Sequence, residues 1–140
     1  MSEPRPRPTP TVESAPWWAS LRAHAMLLQA CDRCARVRHY PRPRCPYCHA
    51  AETRWIPATG RGVVASWTVA HHAFHPAFAA ALPYTLVTVT LEEGVRMVAP
   101  WRGEKDVLRP GLPVVLCYED IDSELTLPAF APDEPRENIP

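Results

Sequence analysis

The stretch Cys31-Asp-Arg-Cys34-Ala-Arg-Val-Arg-His-Tyr-Pro-Arg-Pro-Arg-Cys45-Pro-Tyr-Cys48 decides the fold. Two C-x-x-C pairs stand ten residues apart. Each pair can form a knuckle that offers two thiolates, and two knuckles close a four-coordinate shell around Zn2+ at about 2.3 Å per sulfur. Such a shell leaves no open position, so the metal it implies is structural. It organises some twenty residues that have too little apolar surface to fold alone. A redox dithiol and a pair of disulfides are the competing readings. A redox C-x-x-C normally occurs once, at a helix start inside a βαβ unit, and no such unit is present.

Outward from the cysteines the texture changes on both sides. On the C-terminal side apolar residues alternate: Val63–Thr68, Tyr84–Leu91, Val95–Val98 and Val114–Tyr118 read as strands. Glu92-Glu93-Gly94 marks a tight turn, so the second and third form a hairpin. Leu125–Pro132 reads as a closing edge strand. Short strands at this spacing predict a small antiparallel barrel. On the N-terminal side Trp17, Leu21, Ala25 and Leu28 recur at helical spacing behind Ser14, predicting a helix over residues 15–30. That helix is expected either to seal the domain's own core or to offer Trp17 and Trp18 to a partner. Residues 1–14 carry alternating prolines and read as a disordered, locally polyproline tail. The expected order is therefore tail 1–14, helix 15–30, ribbon 31–54, barrel 55–132 and acidic tail 133–140. The fold class is mainly β.

Charge and composition limit the function. The 140 residues carry 15 Lys+Arg against 15 Asp+Glu, so the chain is neutral, unlike a typical nucleic-acid binder. Its distribution is uneven, since residues 31–54 hold six Arg against Asp32 and Glu52, and residues 104–140 are acidic. No apolar run approaches the ~20 residues of a membrane span and no signal-like start occurs, so a soluble, cytoplasmic protein is expected. Cys117 lies in an apolar strand with no base in sight and reads as a small hydrophobe.

His71, His72 and His75 fall within five residues, yet no nearby carboxylate orients them as catalytic or ligating groups. Phe74 and Phe78 beside them read as an exposed apolar pair for a partner or a pantetheine arm, or as packing on the barrel itself.

Taken in order, these pieces resemble the rubredoxin-like zinc-ribbon plus OB-fold family known as domain of unknown function 35, found beside thiolases. The resemblance runs from Trp17 to Pro132. It rests on Trp17-Trp18, Leu27-Leu28-Gln29, the two knuckles, Tyr40-Pro41-Arg42, Gly60–Val69 with His71, Pro83-Tyr84, Glu93–Arg96, Gly111–Val115 and Leu127–Phe130. It implies an acyl-CoA-binding accessory subunit, itself non-catalytic, that forms a hetero-oligomer with a thiolase-like enzyme of lipid or sterol metabolism. For the CoA phosphates and adenine it leaves, as a set, Arg36, Arg38, Arg42, Arg44, Arg61, Arg96 and Trp67, with Trp101 as a second stacking residue. The family usually places Gly after each knuckle, where this chain has Ala35 and His49. A nucleic-acid-binding ribbon–barrel and a stand-alone acyl-CoA hydratase or thioesterase are the alternatives.

Overall fold

A computed structural model describes residues 4–134. Helix α1 (Ala15–Arg22) leads into β1 (Leu27–Cys31), β2 (Val37–Arg38) and β3 (Thr53–Pro57), which form a three-stranded antiparallel sheet in the order β2-β1-β3. The barrel follows as β4 (Arg61–Ala70), β5 (Tyr84–Leu91), β6 (Arg96–Pro100), β7 (Pro113–Asp120) and β8 (Thr126–Pro132). Its sheet order is β6-β5-β4-β7-β8, and a parallel bridge between Trp101 and Phe130 brings the two ends together. This is a zinc ribbon followed by a nearly closed antiparallel OB-type barrel.

The expected strands are present: β5 coincides with its sequence core, β4 and β7 extend beyond theirs at both ends, and β6 and β8 each start one residue later than expected. β5 buries Thr85, Val87, Val89 and Leu91 and leaves the alternate positions half-exposed, the pattern of a sheet with one face on the core. The β5–β6 turn closes through the Gly94 N–H to Leu91 O at 2.8 Å, with Gly94 at φ +88°, a conformation that glycine adopts without steric cost.

The helix is shorter than its periodicity predicts. It stops at Arg22, and Leu27–Cys31 is a ribbon strand instead. The cause is local: His24 takes φ 54°, its N–H bonds Leu21 O, and the Ala25 N–H bonds Ser20 O. That pair of bonds is a Schellman stop, usually built on glycine. Beyond it Ser20 Oγ accepts the Leu27 N–H, and β1 pairs with β3 from Leu27↔Pro57 to Cys31↔Thr53. Apolar spacing continues past the stop because Leu28 still faces the core, now as a strand residue.

The described part of the Pro-rich segment also departs from expectation. It is irregular but laid along the barrel: Arg7 Nη1 donates to Asp122 at 2.7 Å and the Arg5 guanidinium lies 5.3 Å from the Phe78 ring centroid. Proline fixes φ and removes donors, so this segment is held by its side chains rather than by a ladder. The acidic tail lies outside the described residues beyond Glu134.

One core unites ribbon and barrel. Trp17, Leu21, Met26 and Leu28 pack with Val64, Val87, Val89, Met97 and Phe130. Burying each large apolar side chain contributes about 1.5–3 kcal/mol, so the helix is integral to the barrel. A second, small core holds Cys31, Cys45 and Ala50.

Candidate metal centre and binding surfaces

The knuckles start at the end of β1 and at Cys45. In each, a backbone N–H two residues on, from Arg33 or Tyr47, points at the first sulfur, Cys31 or Cys45, at 3.4 Å. The Ala35 N–H returns to Cys31 O at 3.0 Å and the His49 N–H to Cys45 O at 2.9 Å. Both Ala35 and His49 take φ 65° to do so. The chain thus adopts the left-handed turn without glycine.

The four sulfurs converge. Cys31 Sγ lies 3.5 Å from Cys48 Sγ, Cys34 Sγ lies 3.6 Å from Cys45 Sγ, and all four fall within 4.8 Å of one another. A tetrahedral ion with bonds of about 2.3 Å needs sulfurs roughly 3.8 Å apart, so the donor set fits zinc. The N–H of Cys48, aided by that of Tyr47, pulls the Cys45 thiol down to about 6 against the opposing effect of burial. Cys31 is lowered likewise, chiefly by the Cys34 N–H. Backbone donors therefore favour the thiolate at the first cysteine of each knuckle, whereas Cys48, despite the Ala50 N–H, is pushed up to about 11 by burial and the neighbouring thiols. The four cysteines form a zinc-ribbon site.

The expected CoA-binding set is dispersed. Arg38 is buried: its Nε donates to Gln29 Oε1 at 2.7 Å and its Nη2 to Arg42 O at 3.2 Å, which ties the ribbon loop to β1. These bonds give it a structural role, with Nη1 buried and unpartnered among the described residues. Arg36 stacks on Tyr47, and Arg44 donates to His49 O. Arg42 stays exposed on the ribbon and Arg96 on β6, while Trp67 is part-exposed on β4. Trp101 is buried, with its Nε1 donating to Glu104 O, so it cannot stack a base.

Arg61 instead joins Arg102 and Arg109 around an open groove of about 1310 Å³, where Arg102 is paired with Glu119 at 2.7 and 2.9 Å. Sequence reasoning missed Arg102 and Arg109, because only the barrel brings positions 61, 102 and 109 to one rim.

The partner-contact set also divides. Trp17 is buried in the core and offers no surface. Trp18 is half-buried and lines an apolar groove of about 420 Å³ with Tyr40, Pro41, Val98 and Leu127. Phe74 is 83% exposed, whereas Phe78 is half-buried in a short 3-10 helix, Pro76–Ala81, against Tyr84. His75 Nδ1 accepts the Ala77 N–H and so caps that helix, and His72 stands edge-on to Phe74. Among the described residues the three histidines join no group of metal-ligating side chains. The Cys117 thiol is raised by burial and by Glu119, which keeps it protonated.

A ribbon closed by four thiols and joined to an OB barrel defines the class of protein. The profile of the ChsH2 rubredoxin-like zinc ribbon domain matches residues 18–54, and that of the ChsH2 C-terminal OB-fold domain matches residues 55–119. A solved chain of the Ltp2-ChsH2(DUF35) aldolase superposes with a TM-score of 0.82 at 39% identity, covering 91% of this chain and 100% of that one. The chain belongs to the ChsH2 (DUF35) family.

A DUF35-family protein of unknown function from Sulfolobus solfataricus shares the fold at TM-score 0.61 and 12% identity, covering 89% of this chain and 87% of that one. Two curated relatives match over most of the chain. The "probable enoyl-CoA hydratase alpha subunit" of Thermomonospora curvata is 40% identical over 95% of this chain. The "3-oxo-4,17-pregnadiene-20-carboxyl-CoA hydratase alpha subunit" of Mycobacterium tuberculosis is 31% identical over 91% of it. The chain spans only 41% and 40% of the length of those two proteins. Among the described residues no helix is long and apolar enough to cross a membrane.

Proposed function

We propose that this chain is a non-catalytic accessory subunit that binds acyl-CoA and assembles with a thiolase-like enzyme in lipid or sterol metabolism. One observation carries the reading: the end-to-end match to a chain solved within a two-protein aldolase. Zn2+ bound by Cys31, Cys34, Cys45 and Cys48 ties the two knuckles together and supplies no open coordination position. The exposed Phe74 and the half-buried Trp18 and Phe78 face the partner. Arg61 and Arg109 at the barrel rim, with exposed Arg36, Arg42, Arg44 and Arg96 as a looser set, are the cations available to CoA phosphates. Trp67 is the exposed ring available to adenine.

The test is affinity capture of the tagged chain from its native extract with zinc quantified on the eluate. A thiolase-like protein with about one zinc per chain is the expected result. Zinc without such a partner would sink the accessory reading.

The names of the two hydratase relatives support a second reading, in which this chain itself acts on an enoyl-CoA as a hydratase. Turnover of crotonyl-CoA by the purified chain alone would favour that reading over a non-catalytic role.

A further inference from the structure

On β4 one ladder is complete and the other stops half-way. From Gly62 to Ala70, apart from a bulge at Ala65, the strand pairs with β5, whereas β7 pairs only with Arg61–Val63. The last bonds on the β7 side are Val64 N–H to Leu112 O at 3.0 Å and Gly111 N–H to Val64 O at 2.8 Å. Over residues 65–70 that edge has no backbone partner among the described residues.

In a strand the amides alternate between the two edges in step with the side chains. Val64 sits opposite Val89 on the inward face and turns its amide to β7. Beyond the bulge Trp67, opposite Val87, and Val69, opposite Thr85, share that face. Their N–H and C=O groups therefore point out of the open edge.

Natural sheets guard open edges with Lys, Pro or inward charges. Residues 65–75, Ala-Ser-Trp-Thr-Val-Ala-His-His-Ala-Phe-His, contain no Lys, Arg, Asp, Glu or Pro. The edge also carries Trp67, 39% exposed, and runs on towards Phe74, 83% exposed. An unguarded ladder of this kind fits an extended main chain.

We infer that this edge pairs with the same edge of a second copy, antiparallel about a two-fold axis at Thr68. In that register Trp67 exchanges hydrogen bonds with Val69 of the second copy, and Thr68 faces its own twin, a favourable cross-strand pair. Charge selects the second copy. A symmetric pairing brings each residue close to its own counterpart, so any ionised side chain would meet a like charge, and the unpaired residues 65–70 carry no acidic or basic side chain. This goes beyond the proposed function, since it concerns the chain's association with itself.

Light scattering of the zinc-loaded full chain over a wide range of concentration tests the pairing. The expected mass at high concentration is twice 15.7 kDa. Thr68→Lys sets two ammonium groups against each other at the axis, and Val69→Pro removes an outward N–H while sparing the β5 ladder. Each should raise the dimer dissociation constant roughly tenfold or more, with circular dichroism and zinc content unchanged. Val69→Thr, which keeps the N–H, should leave the dimer intact. A wild-type chain that is monomeric throughout, or a dimer that survives both folded variants, overturns the inference.

Discussion

Ala35 and His49 hold the same left-handed backbone angle, φ 65°, at equivalent places in the two knuckles. Each follows the second cysteine of its pair and sends its N–H back to the carbonyl of the first. The turn is required by the thiol geometry, and the side chain must tolerate it. Histidine enters this region more readily than alanine, so the strain is greater at Ala35.

Ala35→Gly should therefore stabilise the ribbon. Relief of the Cβ clash outweighs the added freedom of the unfolded chain, for a net gain of about 1 kcal/mol. Thermal unfolding of the zinc-loaded protein, together with the rate of zinc loss to a chelator, checks it. A lower melting temperature in the variant would contradict the strain argument.

Removing one thiol should have the opposite effect. Cys31→Ser leaves three sulfurs around the site, and loss of the metal removes the energy that folds the ribbon. Metal analysis and circular dichroism should both register the loss. Retention of zinc with an intact fold would show that the site does not depend on all four sulfurs.

His39 should make the fold acid-sensitive. It packs 5.3 Å from the Trp17 ring, and burial lowers it to about 4 from an ordinary 6.5. As pH falls from 6.5 towards 4 the unfolded chain takes up a proton that the folded chain refuses, so stability falls with pH across that window. The total effect is on the order of a few kcal/mol, because each tenfold loss of proton affinity on folding is worth about 1.4 kcal/mol. His39→Phe should flatten the unfolding free energy between neutral pH and pH 5 relative to the wild type. Equal slopes in denaturant titrations would rule out this role.

At Gly62 the β4 and β5 backbones approach closely. A Cβ there would meet Thr90 O at 2.5 Å and Val89 Cγ1 at 2.7 Å. Gly62→Ala must push the strands apart in the middle of the barrel, costing about 1–3 kcal/mol. The expected readout is a melting temperature lowered by several degrees. An unchanged value would mean that the ladder gives way at no cost.

Phe74 supplies a test of the proposed interface. At 83% exposure its replacement by Asp should leave stability within about 0.5 kcal/mol of the wild type. Co-purification with the thiolase-like partner should fall sharply. Undiminished assembly would remove this loop from the contact.

The cysteine spacing, the alternation of Tyr84–Leu91 and the Glu-Glu-Gly turn were enough by themselves to determine a metal-tied ribbon and a small antiparallel barrel. These are local signals, because a knuckle, a pleat and a tight turn each depend on residues within a few positions. The end of the helix was not legible. Its stop is built on His24 rather than glycine, and Leu28 keeps the apolar rhythm while changing from a helical expectation to a strand.

Nor could spacing tell an arginine that binds from one that holds the fold. Arg38 is consumed by Gln29 and by the Arg42 carbonyl, while Arg61 meets Arg102 and Arg109 across the barrel rim. The burial of Trp17, the exposure of Phe74 and the open edge of β4 likewise depend on contacts between distant segments. Ligand chemistry and strand periodicity are written along the chain. Burial and convergence arise only when strands far apart in sequence close on one core.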